Sequence, residues 1–405
     1  MAEIKSFQAL RYEKDVVTDF ICPPYDVINP EEKERLKKLS PFNMVNVELP
    51  DSKNKINKYR NAANLMKLWQ NNNVLVRVDK PALYFYEQIF EEIGIRMTRR
   101  GLFVALKLDD PNLKKSLMKP HEKTLLKPKI DRLKLLKATK ANTSPIFGLF
   151  DDESRAVMDI CKKIARRPPE ITARDIQGTF HKLWIVVDKE IIETVKKCLS
   201  SKKIFMADGH HRYETAWNYS QERKEKDRFY NSDVEYNYIL AYLCPTDDPG
   251  ISIWPTHRVV EAPANLESNI EKFFDVHLAK DFQKLLKKET QPIMIFKDGK
   301  YRVLTIKKES FLKKAMPDKS KEYRNLAVSI LHYLLVPDLS ASNFIYVKND
   351  KEAVFIAKKT NKIAVIVPAM PVEYLKNISL NNEVLPQKST YFYPKLASGM
   401  VIRTL

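Results

Sequence analysis

The chain has 405 residues, 44% apolar, 10% aromatic and 30% charged, a composition that can bury sizeable cores and excludes global disorder. A surplus of 70 basic over 51 acidic residues gives a net charge of +19, which attracts nucleic acid, anionic lipid or phosphorylated small molecules without choosing among them. The longest apolar runs, such as 183–187 and 363–367, fall far short of the roughly 20 residues of a membrane span, and Met1 to Leu10 hold no apolar segment of a secretory signal. A cytoplasmic chain of two or three domains, without a membrane partner, is expected.

In chain order, Cys22-Pro23-Pro24-Tyr25-Asp26 is a rigid turn. Asn29-Pro30-Glu31-Glu32 is an N-cap, a proline at the first helical position and an acidic first turn, and it leads into a helix through Leu39. The pattern predicts a helix from Lys55 to Gln70 burying Tyr59, Leu65, Leu68 and Trp69, then a hairpin of Leu83 to Phe90 and Leu102 to Leu108 about Gly94. After the polar loop Lys119-Pro120-His121-Glu122, a helix over 129–140 carries the apolar stripe Ile130, Leu133 and Leu136. Strands are expected at 144–150, 183–187, 203–207 and 237–243, with a helix after Arg212 turning Tyr213, Ala216 and Trp217 inward. Further on, Lys297-Asp298-Gly299-Lys300 is a hairpin turn, 326–335 a helix, and 344–347, 353–356 and 363–367 are strands.

Cys22, Cys161, Cys198 and Cys244 form no CxxC pair, which argues against a zinc ribbon, an iron–sulfur site or a disulfide framework. Only eight glycines occur, with neither GxGxxG nor GxxxxGK[ST], so a phosphate must be held by helix N-termini assisted by Arg, Lys and His. The densest cluster of such groups is Asp208-Gly209-His210-His211-Arg212 at a predicted helix start, where glycine permits the turn and the helix end and Arg212 favour an anion. Two other uses stay open: Asp208 capping the helix while Arg212 braces a loop, or His210 and His211 binding a metal with a third ligand from elsewhere. In the second cluster, Pro120-His121-Glu122 followed by Arg132, Glu122 can act as a general base or be a solvated or helix-capping loop residue.

Taken in succession, Pro120-His121-Glu122, a helix, Ser144-Pro145-Ile146 entering a strand, and a strand ending in Asp208-Gly209-His210-His211-Arg212 are similar to the ParB/sulfiredoxin-like fold, nearest in pattern to its free serine kinases. The whole chain, with Cys22-Pro23-Pro24-Tyr25-Asp26-Val27 and the stretch from Leu385-Pro386-Gln387-Lys388 to Tyr393-Pro394-Lys395, resembles a prokaryotic family, domain of unknown function 1015. The resemblance implies an α/β (α+β) chain: an N-terminal α/β region over 1–100, a ParB/sulfiredoxin-like mixed-sheet core over 101–261 with an insertion at 151–200 holding His181 and Trp184, and a C-terminal α+β lobe over 262–405. Two departures bear on function. His210 stands where sulfiredoxins carry cysteine, which sets aside thiol chemistry. His210-His211-Arg212 replaces the Glu-Arg-Arg of DNA-partitioning relatives, and no helix-turn-helix is evident.

The kinase resemblance implies a nucleotide-dependent phosphotransferase acting on a small hydroxyl compound, a serine-like amino acid first, with ATP or ADP and Mg²⁺. Glu122 would take the hydroxyl proton, with His121 orienting it or touching phosphate. Gly209, His210, His211 and Arg212 would hold phosphates, and Asp208 a Mg²⁺ or a substrate ammonium. Tyr25, Asp26, Arg132, His257, Arg258 and Lys388 are secondary candidates, the pair His257-Arg258 as an added cation or a strand end. The other functions weighed are a nucleotide-binding switch or nucleic-acid binder, disfavoured because lysines such as Lys33, Lys107, Lys224 and Lys358 spread over the whole chain, and a metal-assisted phosphatase using Asp208, His210, His211 and His181 or His257. Oligomeric state is not legible.

Overall fold

The computed structural model describes residues 2–51, 57–111, 116, 118–120, 122, 126–340 and 343–405. Backbone packing divides the chain into two compact units: Met1–Lys119 with Thr124–Ile251 and Pro394–Leu405, and Pro120–Lys123 with Ser252–Tyr393. The architecture is mixed α/β with a central mixed sheet, as the sequence implies.

In the first unit the sheet runs, edge to edge, through Met118–Lys119, Ile204–Asp208, Ile146–Phe150, Tyr238–Pro245, Ile95–Lys107, Leu83–Glu92, Phe180–Val186 and Ile171–Arg174, with Ile4–Lys5 also paired to Ile95–Lys107. Ile146–Phe150 lies parallel to Tyr238–Pro245 and antiparallel to Ile204–Asp208. The central hairpin turns at Ile93 and Gly94, both at positive φ (50° and 74°), as a two-residue turn matching strand twist requires. Its second strand starts at Ile95, well before the expected Leu102, because 95–101 pair with 86–92 through the backbone while their Arg and Thr side chains show no apolar run. The expected insertion contributes the strand Phe180–Val186, paired from Phe180 with Ile89 to Val186 with Leu83, so it widens this sheet.

Helices cover the sheet by burying Val157, Ile164, Ile192, Val195, Tyr213 and Ala216 against Phe85, Leu102, Trp184, Ile204, Met206 and Leu243, each large apolar side chain adding about 1.5–3 kcal/mol by leaving water. The helix Asn57–Asn71 forms, but its buried face is Ala62, Met66 and Trp69, at helical spacings of four and three, while Leu68 is 51% exposed. In Leu126–Thr139 the buried side chains include Arg132, Leu135 and Leu136, and Ile130 is 45% exposed. That face is part polar, which an apolar stripe cannot reveal.

The second unit holds an antiparallel sheet in the order Phe274–His277, Lys300–Ile306, Ile293–Lys297, Ile363–Ile366, His257–Val260, Ile345–Val347. Asp298 and Gly299 (φ 48° and 77°) make the expected hairpin turn. The strand expected at 353–356 is instead inside the helix Asp350–Thr360. Asn349 caps that helix by accepting the Glu352 N–H at 3.0 Å, and Ala353, Val354 and Ala357 form its buried face, so cap and spacing override a short apolar run. No helix among the described residues is long and apolar enough to cross a membrane.

Ile93 holds a left-handed backbone that β-branched residues resist, with its side chain 96% exposed. Ile93→Asn should therefore stabilise the chain by about 1 kcal/mol, read as a higher denaturant midpoint. An unchanged or lower midpoint would mean that Ile93 contributes packing.

Candidate functional site

The buried strand Ile204–Asp208 ends at Gly209, and the helix His210–Lys226 begins at the next residue. Gly209 lies at φ 93°, where L side chains are strained, and a Cβ there would meet Ile146 atoms at 3.0, 3.1 and 3.2 Å. The helix has no side-chain cap and no acidic residue in its first turn, so its positive end is uncompensated by its own residues.

Asp208 is fixed from several sides. Its Oδ1 accepts the Gly209 N–H at 2.8 Å, its Oδ2 accepts from Lys395 Nζ at 3.0 Å, and Arg212 Nη2 lies 3.7 Å from Oδ2. Burial opposes its charge, but Lys395 and Arg212 outweigh burial and hold the carboxyl well below the usual range. Arg212 Nη1 donates to Ser144 Oγ at 2.7 Å and to the Pro145 carbonyl, so Arg212 also braces the entry to the strand Ile146–Phe150. Lys395 is placed by two wholly buried polar residues of the central hairpin: Gln88 Nε2 donates to the Lys395 carbonyl at 3.0 Å, and Arg99 Nη2 donates to the Pro394 carbonyl at 2.6 Å. His210 is buried at the helix start, and His211 is half-buried beside it.

Next to this turn lies a small cleft, lined by Arg132, Thr143, Ser144 and Arg212 and by apolar groups such as Leu135 and Ile239. Arg132 Nη1 donates to Glu48 Oε2 at 2.9 Å and its Nε to Asp131 Oδ2 at 3.0 Å, and its guanidinium sits 4.1 Å over the Tyr25 ring. Burial raises the Asp131 carboxyl, yet Arg132 and Lys58 prevail and bring it to about 2. Burial, with Asp26 adding to it, keeps the Tyr25 phenol protonated against the pull of Arg212 and Arg132. Asp26 itself is exposed.

Glu122 belongs to the second unit. It forms an isolated bridge with Leu385, and its Oε1 accepts the Lys388 N–H at 3.2 Å, Lys388 standing at φ 57°. Wholly buried Arg258 donates to the Thr256 carbonyl and, at 3.2 Å, to the Lys388 carbonyl. Burial lowers Arg258 to about 10, with Tyr346 and Glu122 pulling the other way. His257 is not an added cation: burial, reinforced by Arg258 and opposed by Asp350, lowers it to about 4, and its Nδ1 accepts the Val367 N–H at 3.3 Å. His121 lies outside the described residues.

The first unit thus gathers Asp208, Gly209, His210 and Arg212 with Lys395, and Tyr25 with Arg132; the second gathers Glu122, Arg258 and Lys388. Among the described residues no three of His, Cys, Asp and Glu group as metal ligands, and His181 is buried with Nδ1 2.5 Å from the Tyr86 hydroxyl. Sequence reasoning missed Lys395, one lysine among many, and its anchors. Gln88 and Arg99 carried a signal, being polar residues set in strands that are otherwise apolar nearby.

Two outcomes follow from this geometry. Gly209→Ala should cost about 2 kcal/mol or more through its φ and the Ile146 contact, seen as a lower denaturant midpoint. His257 and His332 both sit near 4, below an ordinary 6.5, chiefly through burial. Between those values the unfolded chain binds protons that the folded one does not, so stability should fall as pH drops from about 6.5 to about 4. His257→Asn, which keeps an acceptor for Val367, should flatten the dependence of the thermal midpoint on pH; an unaltered slope would contradict the assignment.

Several solved structures resemble the chain distantly. A conserved hypothetical protein from Pyrococcus furiosus is 13% identical at a TM-score of 0.33, covering 69% of this chain and 88% of that one. A free serine kinase variant in complex with ADP is 12% identical at 0.35, covering 68% and 83%. SbnI from Staphylococcus aureus, truncated at its C-terminus, is 8% identical at 0.38, covering 70% and 83%. At these scores they carry nothing about activity. No curated protein matches the sequence. The family model described as a protein of unknown function, DUF1015, matches residues 4–329, and the chain belongs to that family.

Proposed function

We propose that the chain is a nucleotide-dependent phosphotransferase acting on a small hydroxyl compound, a serine-like amino acid first. The observation that carries this reading is the strand–Gly209–helix turn, with an uncapped helix end and Asp208, Arg212 and Lys395 gathered on it. Such a turn suits phosphate, because backbone N–H groups and the helix dipole attract anions where cations are already placed. The order of motifs along the chain, Pro120-His121-Glu122 before Asp208-Gly209-His210-His211-Arg212, supports it further.

In this reading Gly209, His210, His211 and Arg212 hold the phosphates of ATP or ADP. The acceptor hydroxyl oxygen attacks the terminal phosphorus, the bond from that phosphorus to the bridging oxygen of the nucleotide breaks, and the hydroxyl proton passes to Glu122. Asp208, which already accepts one ammonium from Lys395, would accept the ammonium of an amino-acid substrate on its remaining lone pairs. The described residues make no magnesium cage of their own; magnesium would come with the nucleotide and neutralise phosphate charge. Tyr25 and Arg132, beside the cleft, would bound the substrate pocket.

The test is phosphate transfer to free hydroxy amino acids and related acids, with ATP and ADP in parallel. Glu122→Gln should lower turnover about 100-fold or more while nucleotide binding persists, and Arg212→Ala should weaken nucleotide binding itself. Equal activity in both variants, or no transfer across the panel, would overturn the reading.

A further inference from the structure

We infer that Tyr25 recognises the carboxylate of the acceptor, its hydroxyl donating to a carboxylate oxygen, and that Arg132 is the positioning residue beneath it. The inference rests on the phosphotransferase reading and names the group that would select a hydroxy acid over other hydroxyl compounds. Arg132 itself is fully engaged inside the protein. Glu48 Oε2 and the Glu48 carbonyl accept from its Nη1 and Nη2, each at 2.9 Å, and Asp131 Oδ2 accepts from its Nε at 3.0 Å. The Arg132 side chain is 6% exposed, and Thr143 Oγ1 donates to the other Glu48 oxygen at 2.6 Å. An incoming anion would have to displace a buried carboxylate to reach this guanidinium. What Arg132 still offers is its attraction for an aromatic face, and it sits 4.1 Å over the Tyr25 ring.

Tyr25 differs from the tyrosines around it. Tyr59 donates its hydroxyl hydrogen to Asp131 and Tyr12 to the Phe42 carbonyl, both at 2.7 Å, whereas the half-buried Tyr25 hydroxyl has no hydrogen-bond partner among the described residues. The turn that carries it is held on both sides. Pro23 and Pro24 are buried, the Val27 N–H closes on the Pro24 carbonyl at 3.1 Å, Cys22 exchanges backbone hydrogen bonds with Ser398 at 3.2 and 2.8 Å, and Asn29 caps the next helix. A phenol fixed by its ring and its backbone, with its donor free, is prepared for a ligand atom. Burial, then Asp26, keep it protonated; of the two guanidiniums that pull the other way, Arg212 acts more strongly than Arg132. Asp26 is exposed, so water screens its charge. An anionic oxygen suits such a place, because it accepts from the phenol and is attracted by Arg212. In the phosphotransferase reading the phosphates lie at the Gly209 turn, which leaves the oxygen at Tyr25 to the acceptor.

The experiment compares phosphate transfer to free hydroxy amino acids and to their amides, which keep hydroxyl and ammonium but lack the carboxylate. It uses the full chain, Tyr25→Phe, Tyr25→Leu, Arg132→Lys and the double variant Arg132→Lys with Tyr25→Phe. For the acid that the parent uses best, Tyr25→Phe should lower kcat/KM about ten- to a hundredfold, through KM. With the matching amide, parent and variant should be equal, and calorimetry should find their affinities for ATP and ADP equal too. Where the amide is turned over too slowly to time, its inhibition constant against the acid carries the same comparison. Phenylalanine keeps the ring on Arg132, so a packing role predicts a loss in Tyr25→Leu and none in Tyr25→Phe. Arg132→Lys cannot hold Glu48 and Asp131 through three nitrogens; it should raise KM for the acid less, and Tyr25→Phe should add less to it than to the parent. An unchanged KM for the acid in Tyr25→Phe, an equal loss with the amide, weakened nucleotide binding, or a parent that prefers the amides overturns the inference and leaves the phosphotransferase reading standing. A parent that transfers phosphate to none of the acceptors overturns both. If Arg132→Lys fails to fold, the comparison of Tyr25→Phe with Tyr25→Leu decides.

Discussion

Lys395 and Asp208 hold each other 3.0 Å apart in a largely dehydrated setting, and most of what is distinctive in the first unit is arranged around that pair. A buried ion taken from water costs several kcal/mol and persists only when its partner is well placed. The partner must therefore be delivered accurately, and the molecule commits two further buried polar residues, Gln88 and Arg99, to fixing the backbone that carries it. Arg212 approaches the same carboxylate while tying Ser144 and Pro145 to the helix start, and Gly209 lets the strand reach the helix without a clash on Ile146. Without Lys395, Asp208 keeps only the more distant Arg212; without Asp208, both cations lose the carboxylate they share.

What was legible in the sequence was what is local. Asn29 to Glu32 gave a complete capping box, Asp298-Gly299 gave its hairpin, and Asp208-Gly209 gave a strand, a turn and a helix, because each is decided by cap chemistry or positive φ within a few residues. Apolar periodicity was a weaker guide. It placed the helix Asn57–Asn71 correctly and chose Leu68 for its inner face, when Ala62 and Met66 lie there; it made a strand of residues that a well-placed Asn349 turns into helix. The distal half of the central hairpin was invisible because its pairing is carried by backbone groups, which leave no trace in side-chain polarity. The candidate site was half legible. Its turn could be named, and its counter-ion could not, since 187 positions separate Asp208 from Lys395.

The second unit uses charge in a different way. Arg258 is wholly buried, and its two terminal nitrogens donate to the backbone carbonyls of Thr256 and Lys388, with the Tyr346 ring 5.6 Å from it. Burial, with the Arg258 charge adding to it, keeps His257 and His332 neutral, so one permanent cation stands among imidazoles that do not compete with it. Glu122 is tied to the same loop through the Lys388 N–H, at a residue whose left-handed backbone turns that N–H outward from the usual path.

The first unit is assembled from stretches that the second interrupts, and Pro394–Leu405 belongs with strands laid down more than a hundred residues earlier. During synthesis on the ribosome the wide sheet can collapse early, but the small sheet of Arg403–Thr404 with Ala141–Asn142, and the lysine beside Asp208, come only when the residues beyond Tyr393 have left the exit tunnel. Through that interval Asp208 has the more distant Arg212 but not Lys395, and Cys22 lacks its Ser398 partner. Emergence of this segment thus acts as a checkpoint in vectorial folding: a nascent chain stalled before it would present a nearly complete sheet with the turn at Asp208 unfinished.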